Sequence, residues 1–178
     1  MPKRSGLVVA RTRGEAREWH RAQRALGKRI AFAPTMGALH DGHLSLIKLG
    51  LEKADVAASS IFVNPTQFAA HEDLGTYPRA EESDLEKLAA AGCSFCYCPS
   101  PIEMYPPGDS TRVKVKDLSH ILEGEVRPHF FEGVASVVSA ETATAMGYRK
   151  SLVTFSERPS AARMNENSPI CASADGTV

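Results

Sequence analysis

The sequence predicts an α/β fold, a parallel β-sheet flanked by helices. Three observations carry this. Short apolar runs alternate with helix-period segments from residue 15 to residue 98. Residues 55–63 (Asp-Val-Ala-Ala-Ser-Ser-Ile-Phe-Val) form a near-continuous apolar run, the pattern of a strand covered on both faces. Strand, helix, strand, helix, strand at this spacing requires parallel strands joined by right-handed crossovers.

The elements follow in order. Residues 15–26, with Trp19 among charged neighbours, read as a surface helix, and residues 28–33 as a short strand ending at Pro34. From Gly42 onward, Leu44, Leu46, Ile47, Leu49, Leu51 and Ala54 suit a partly buried helix. The apolar strand at 55–63 then gives way to a polar loop containing Asn64, Pro65, Gly75 and Pro78. Residues 81–91 read as a helix with Leu85 and Leu88 on one face and acids in the first turn, where the helix dipole favours them. A cysteine-bearing strand follows at 93–98, then a turn through Pro106, Pro107 and Gly108, then 111–115 as another short strand.

The chain of 178 residues is the size of one ordinary domain with an appendage, and a hydrophobic fraction of 43% allows a true core. Lys+Arg and Asp+Glu both number 21, so the formal charge is zero, whereas a nucleic-acid binder carries a basic excess for phosphate contacts. The basic start, residues 1–24, lacks a signal-peptide core and holds Glu15 and Glu18, which speak against an organellar address. No apolar run has the length of a membrane span. The expectation is a soluble cytoplasmic protein that binds neither nucleic acid nor membrane. The cysteines stand at 93, 96, 98 and 171. Strand alternation would turn Cys96 and Cys98 to one face and Cys93 to the other, which disfavours a shared zinc and predicts buried structural thiols with no metal site.

In parallel sheets ligands bind beyond the carboxyl ends of the strands, which directs attention to two loops, 34–43 and 64–79. The first reads Pro34-Thr35-Met36-Gly37-Ala38-Leu39-His40-Asp41-Gly42-His43. Two histidines three apart sit where a strand gives way to a helix. Open N–H groups at a helix start favour an anion, and Gly37 and Gly42 would let backbone approach a phosphate. Imidazoles add donors that become cationic as negative charge builds on a leaving group. The alternatives are a zinc pair or ordinary surface polarity. In the second loop, Asn64-Pro65-Thr66-Gln67-Phe68, the amides could hold a small polar ligand, or the Asn-Pro step could merely start a turn. Arg79, in Tyr77-Pro78-Arg79, could meet a carboxylate or join an ion pair. Arg127 and His129 lie in a shaped loop, 123–134, whose favoured role is loop fixing.

Together, these segments and Pro99-Ser100-Pro101-Ile102-Glu103-Met104-Tyr105-Pro106 resemble the pantothenate synthetases, in order and spacing from about residue 14 to 138. His-x-Gly-His alone marks a wide superfamily of Rossmann-like nucleotidylyltransferases; the Asn-Pro-Thr-Gln-Phe block argues against other adenylyl- or cytidylyltransferases. The resemblance implies ATP-dependent condensation of pantoate with β-alanine through a pantoyl adenylate, with Mg2+ carried mainly by the phosphates, in a homodimer. It implies ATP binding by Met36, Gly37, Ala38, Leu39, His40, Asp41, Gly42 and His43, with His43 as proton donor and His40 as a phosphate contact. Gln67 would bind pantoate and then β-alanine, with Asn64, Tyr77 and Arg79 as further candidates.

Two departures stand out. The family often has Arg-Pro-Gly-His-Phe where this chain has Arg127-Pro128-His129-Phe130. After Val138 the family continues with Lys-Leu-Phe-Asn and then Gly-Glu-Lys-Asp-Phe-Gln-Gln, whereas here Ser139-Ala140-Glu141-Thr142-Ala143 follows. The expected organisation is a Rossmann-like ATP/pantoate domain at 1–138 and a divergent, loosely ordered tail at 139–178, without the family's C-terminal domain. The alternative function is a catalytically impaired nucleotide-binding or dimerising module of the same family.

Overall fold

The structure, a computed structural model, describes residues 6–68, 80–115 and 123–145. Its four strands, β1 (Val8–Ala10), β2 (Ile30–Ala33), β3 (Val56–Ser60) and β4 (Phe95–Tyr97), are all parallel and lie in the order β1-β4-β3-β2. Ile30 to Ala33 pair with Val56 to Ser59, and Ala58 to Ser60 pair with Phe95 to Tyr97. This is the Rossmann-like α/β sheet expected. Every residue of β3 is buried, as its apolar run requires.

Helices cover both faces. Helices α1 (Arg13–Ala25) and α6 (Phe130–Ala145) lie on one, α2 (Asp41–Lys53) and α3 (Glu81–Ala90) on the other. Side-chain alternation builds the two cores. Ala57 and Cys96 face Leu39, Ile47, Leu85 and Leu88. Ala58, Phe95 and Tyr97 face Ala16, Met104, Val137 and Ala140. Thr12 and Glu15 start α1 as a capping box, and Trp19 stacks on Phe95 with ring centroids 4.5 Å apart. Gly50 lets α2 settle onto β2, since a Cβ there would lie 2.7 Å from that of Ala31.

Several expectations change. The first strand of the sheet, β1, has only three residues and no long apolar run to betray it. Cys93 does not face away from Cys96 and Cys98; all three thiols share one core cluster. Strand geometry starts only at Phe95, so alternation does not reach Cys93, whose Sγ turns back to the Phe95 carbonyl at 3.1 Å. The three are buried free thiols, as their apolar surroundings suggested. Burial pushes Cys93 up to about 11, and contact with Cys98 together with burial raises Cys96, so neither is a ready nucleophile. Cys171 lies outside the described residues.

Residues 111–115 are not a strand. Val113 donates its N–H to Ser136 Oγ at 2.9 Å on α6, a side-chain partner instead of a ladder. The loop reading of 123–134 also gives way, to a single turn, α5 (Glu123–Val126), and the start of α6. Helix α6 passes through position 138 without a break and buries Ala140, Glu141, Ala143 and Thr144. A one-turn helix, α4 (Pro101–Met104), follows β4, capped by Ser100 with Pro101 at its first position. No described helix is long and apolar enough to cross a membrane.

Candidate functional site

The two loops singled out by position leave adjacent strands, β2 and β3, and are fastened together at the sheet's carboxyl edge. Thr35 Oγ1 donates to the Ser60 carbonyl at 2.6 Å, Thr35 N–H to Ser60 Oγ at 3.3 Å, and Phe62 N–H to the Thr35 carbonyl at 3.0 Å. A threonine two residues past the end of β2 thus ties the histidine loop to the Asn-Pro-Thr-Gln loop.

Beyond this clasp the chain turns through Gly37 (φ 86°) and Ala38 (φ 52°). Left-handed backbone is ordinary for glycine but unusual for alanine, and something must hold it there. Asp84 does. Its carboxylate, almost wholly buried in the first turn of α3, accepts the N–H of Ala38 at 2.7 Å and of Leu39 at 2.8 Å. Lys87, one turn on, donates to the Leu39 carbonyl at 2.8 Å and lies 3.6 Å from Asp84.

The histidines then cap α2 and each other. His40 is the N-cap, its Nδ1 accepting from Gly42 N–H at 3.1 Å, while His43 Nδ1 accepts from His40 N–H at 3.4 Å. The rings face one another with centroids 4.1 Å apart. Because Nδ1 is the acceptor in both, Nε2 carries the proton in both neutral imidazoles. Burial first, then His40, holds the His43 pKa below its ordinary value against the opposing pull of Asp84. At neutral pH His43 is therefore an uncharged N–H donor that gains a proton readily only beside new negative charge.

This arrangement corrects the reason given for the glycines and the helix start. The N–H groups of Gly37, Ala38, Leu39, His40, Gly42 and His43 are not open to an anion; each meets an acceptor within the protein. Gly42 is needed because the His40 ring lies over it: an added Cβ would sit 2.8 Å from His40 Cε1. Met36 is half-buried and Asp41 exposed.

The second loop forms a 3₁₀ turn, Pro65–Gln67, capped by Asn64. Asn64 is fully buried and its amide is committed at both ends. Oδ1 accepts from Thr66 N–H (3.2 Å), Thr66 Oγ1 (2.9 Å) and Tyr105 Oη (2.8 Å), and Nδ2 donates to Gln67 Oε1 (3.0 Å) and the Gly133 carbonyl (3.1 Å). Gly133 of α6 lies against this turn so closely that a Cβ would come within 2.6 Å of the Thr66 carbonyl oxygen. Arg127 donates to the Gln67 carbonyl at 2.8 Å and stacks over Phe130, the loop-fixing role expected of it. His129 is exposed. Tyr77 and Arg79 lie outside the described residues. Among the described residues, no three His, Cys, Asp or Glu side chains are grouped to hold a metal ion.

A family model described as pantoate–β-alanine ligase matches residues 8–143. The chain belongs to the pantoate–β-alanine ligase family. Pantothenate synthetase of Caulobacter vibrioides is 52% identical over 132 residues, covering 74% of this chain and 46% of that protein. The Hyphomonas neptunium pantothenate synthetase is 50% identical over 137 residues, covering 77% and 47%. The chain thus spans about half the length of the curated relatives it matches. The crystal structure of pantothenate synthetase from Thermus thermophilus superposes with a TM-score of 0.71 at 38% identity, over 77% of this chain and 48% of that one. That of pantoate–β-alanine ligase from Francisella tularensis, complexed with β-γ ATP and β-alanine, gives 0.70 at 37% identity, over 78% and 53%.

Within the ligase-family fold, Asp84, Thr35, Tyr105 and Gly133 are the site-building residues that motif reading passed over. Asp84 left a trace: with Leu85 and Leu88 it shares the buried side of α3, where an acid needs a partner. Its place in the first turn had a sufficient explanation in the helix dipole. Thr35 and Tyr105 sat inside matched motifs but offered no sign of what they bond.

Proposed function

We propose that this chain carries the ATP- and pantoate-binding half of a pantoate–β-alanine ligase, acting through a pantoyl adenylate. The observation that carries the proposal is the mutually capped pair of His40 and His43 on the loop after β2, which Thr35 ties to the loop after β3 that holds the Gln67 turn. The loop of Met36, Gly37, Ala38, Leu39, His40, Asp41, Gly42 and His43 receives ATP, with the protonated Nε2 atoms of the imidazoles as hydrogen-bond donors to its phosphates. Gln67 orients pantoate and later β-alanine, and Asn64 holds Gln67.

In the first step a pantoate carboxylate oxygen bonds to the α-phosphorus of ATP, and the bond from that phosphorus to the bridging oxygen breaks. Charge grows on the departing pyrophosphate, to which the Nε2–H of His43 donates a hydrogen bond; its lowered pKa keeps the ring neutral until that charge appears. In the second step the β-alanine amine bonds to the acyl carbon, AMP leaves, and the amine loses a proton. Magnesium prefers oxygen ligands and retains water. The imidazoles at the loop suit phosphate rather than magnesium, so the ATP oxygens would hold the ion, which would neutralise part of their charge. Tyr77 and Arg79 are further candidates for substrate contact. A cytoplasmic homodimer is the proposed setting.

A second reading is a nucleotide-binding or dimerising module of the same family with impaired catalysis, formed by domain 1–138 with a divergent stretch beyond it. It is favoured by Glu141, a carboxyl buried in α6 with Oε1 unpartnered, in the segment that departs from the family's Lys-Leu-Phe-Asn run. Pantoate-dependent exchange of pyrophosphate into ATP by the purified chain separates the readings. Exchange supports the ligase half-reaction. ATP binding without exchange supports the impaired module. Absence of both ATP binding and exchange would overturn the nucleotide assignment.

A further inference from the structure

The buried carboxylate of Asp84 has no role in the chemistry above, yet it touches the most unusual backbone of the histidine loop. We infer that Asp84, seconded by Lys87, is a positioning residue that sets the His40–His43 pair for ATP by clamping Ala38 and Leu39. The inference deepens the nucleotide-binding reading and rests on it.

The geometry argues this from three sides. First, Ala38 adopts φ 52°, a conformation costly for a residue with a Cβ, and two charge-assisted bonds from Asp84 fall on its own N–H and on the next. Second, Asp84 approaches from beneath: a Cβ on Gly37 would lie 3.2 Å from Asp84 Oδ2, so the glycine makes room for the carboxylate. Third, Lys87 Nζ grips the Leu39 carbonyl at 2.8 Å while lying 3.6 Å from Asp84, so both polar groups of the Leu39 main chain are tied to α3. Leu39 itself is buried in the α2/α3 core. His40 follows directly, and its ring and N–H then fix Gly42 and His43. One residue of α3 thereby determines where both imidazoles stand.

The test uses the full chain and three substitutions. Asp84→Asn keeps the shape but offers one acceptor oxygen, so at most one of the two amides stays bonded. The readouts are the His40 and His43 imidazole resonances, exchange of the Ala38 and Leu39 amides, and Mg-ATP affinity by calorimetry. With Asp84→Asn both imidazole signals are expected to move and the two amides to lose protection. The His43 titration midpoint should drop, because a raising charge is gone while His40 remains. ATP affinity should fall on the order of tenfold, the loss of about one strong bond. Glu86→Gln, an exposed acid of the same helix, should change none of these. Unchanged imidazole signals and unchanged ATP affinity in Asp84→Asn would overturn the inference. If the parent chain fails to bind ATP, the nucleotide reading falls, while resonances and amide exchange still decide for or against Asp84. Should Asp84→Asn not fold, Lys87→Met removes the grip on the Leu39 carbonyl from a partly exposed site. It must then move the His40 signals and deprotect Leu39, and silence in both would refute the clamp.

Discussion

Glu141 offers the sharpest test of the packing between α6 and the sheet. Its carboxyl is 2% exposed, shares a hydrogen bond with Ser60, has Oε1 without a partner, and lies near Cys98. Tyr97 and Tyr105 feel its charge. Burial dominates, and the pKa rises from 4.5 to about 8. The folded state therefore holds a proton that the unfolded chain releases above about pH 4.5. Stability from this proton is complete below the unfolded value and is lost as pH rises toward 8. At about 1.4 kcal/mol per decade of proton affinity, the loss is about 3 kcal/mol at pH 7 and about 5 kcal/mol above pH 9. Against an ordinary domain stability of about 5–15 kcal/mol, that is a large share. Glu141→Gln keeps the size and removes the titration. Urea denaturation from pH 5 to 9 should show the parent losing stability with pH while Glu141→Gln stays nearly level, the curves parting most above pH 8. Parallel curves would refute the reasoning: the carboxyl would then be charged and solvated in the folded state.

Three further outcomes follow from the same geometry. His20, buried on α1, is held neutral by burial and Arg24 with a pKa of about 4, so its stabilisation is present above about pH 6.5 and lost on acidification, by about 3 kcal/mol in full; His20→Leu should flatten the acid limb of the same urea series. Gly133→Ala drives a Cβ to 2.6 Å from the Thr66 carbonyl oxygen and should cost about 1–3 kcal/mol, with pantoate binding weakened more than ATP binding; unaltered denaturation midpoints would mean α6 can back away freely. Gly42→Ala pushes the His40 ring from its cap and should lower stability by about 1 kcal/mol. Its ATP affinity, read by calorimetry, should fall with it.

The parts of the fold legible in the sequence were those with strong periodicity. The buried strand β3 and helices α2 and α3 stand where apolar spacing put them, and α1 where Trp19 among charged neighbours marked a helix, all within a few residues. Short elements with little apolar content, such as β1 and α4, gave too few positions for a period to emerge. Helix α6 was obscured because Val134, Val137 and Val138 suggest extended chain, while the burial of Val137, Ala140, Ala143 and Thr144 along one helical side cannot be read without the sheet they cover. The histidine pair was legible as a motif, but its physical reason was not. Spacing cannot reveal that Gly42 serves the His40 ring, nor that an acid 45 and 46 residues downstream of Leu39 and Ala38 reaches back to their amides.

The internal pairing of most N–H groups of the histidine loop has a consequence for how ligands would meet it. A glycine-rich loop that folds around its ligand must lose backbone freedom at that moment, about 1–2 kcal/mol for each residue ordered. Here the turns, caps and amide bonds are made with acceptors of the protein itself. Ordering entropy is thus charged to folding and not to association. If the proposed nucleotide site holds, encounter at this loop is close to the docking of rigid bodies, and a ligand of the wrong shape is not accommodated by reshaping the backbone.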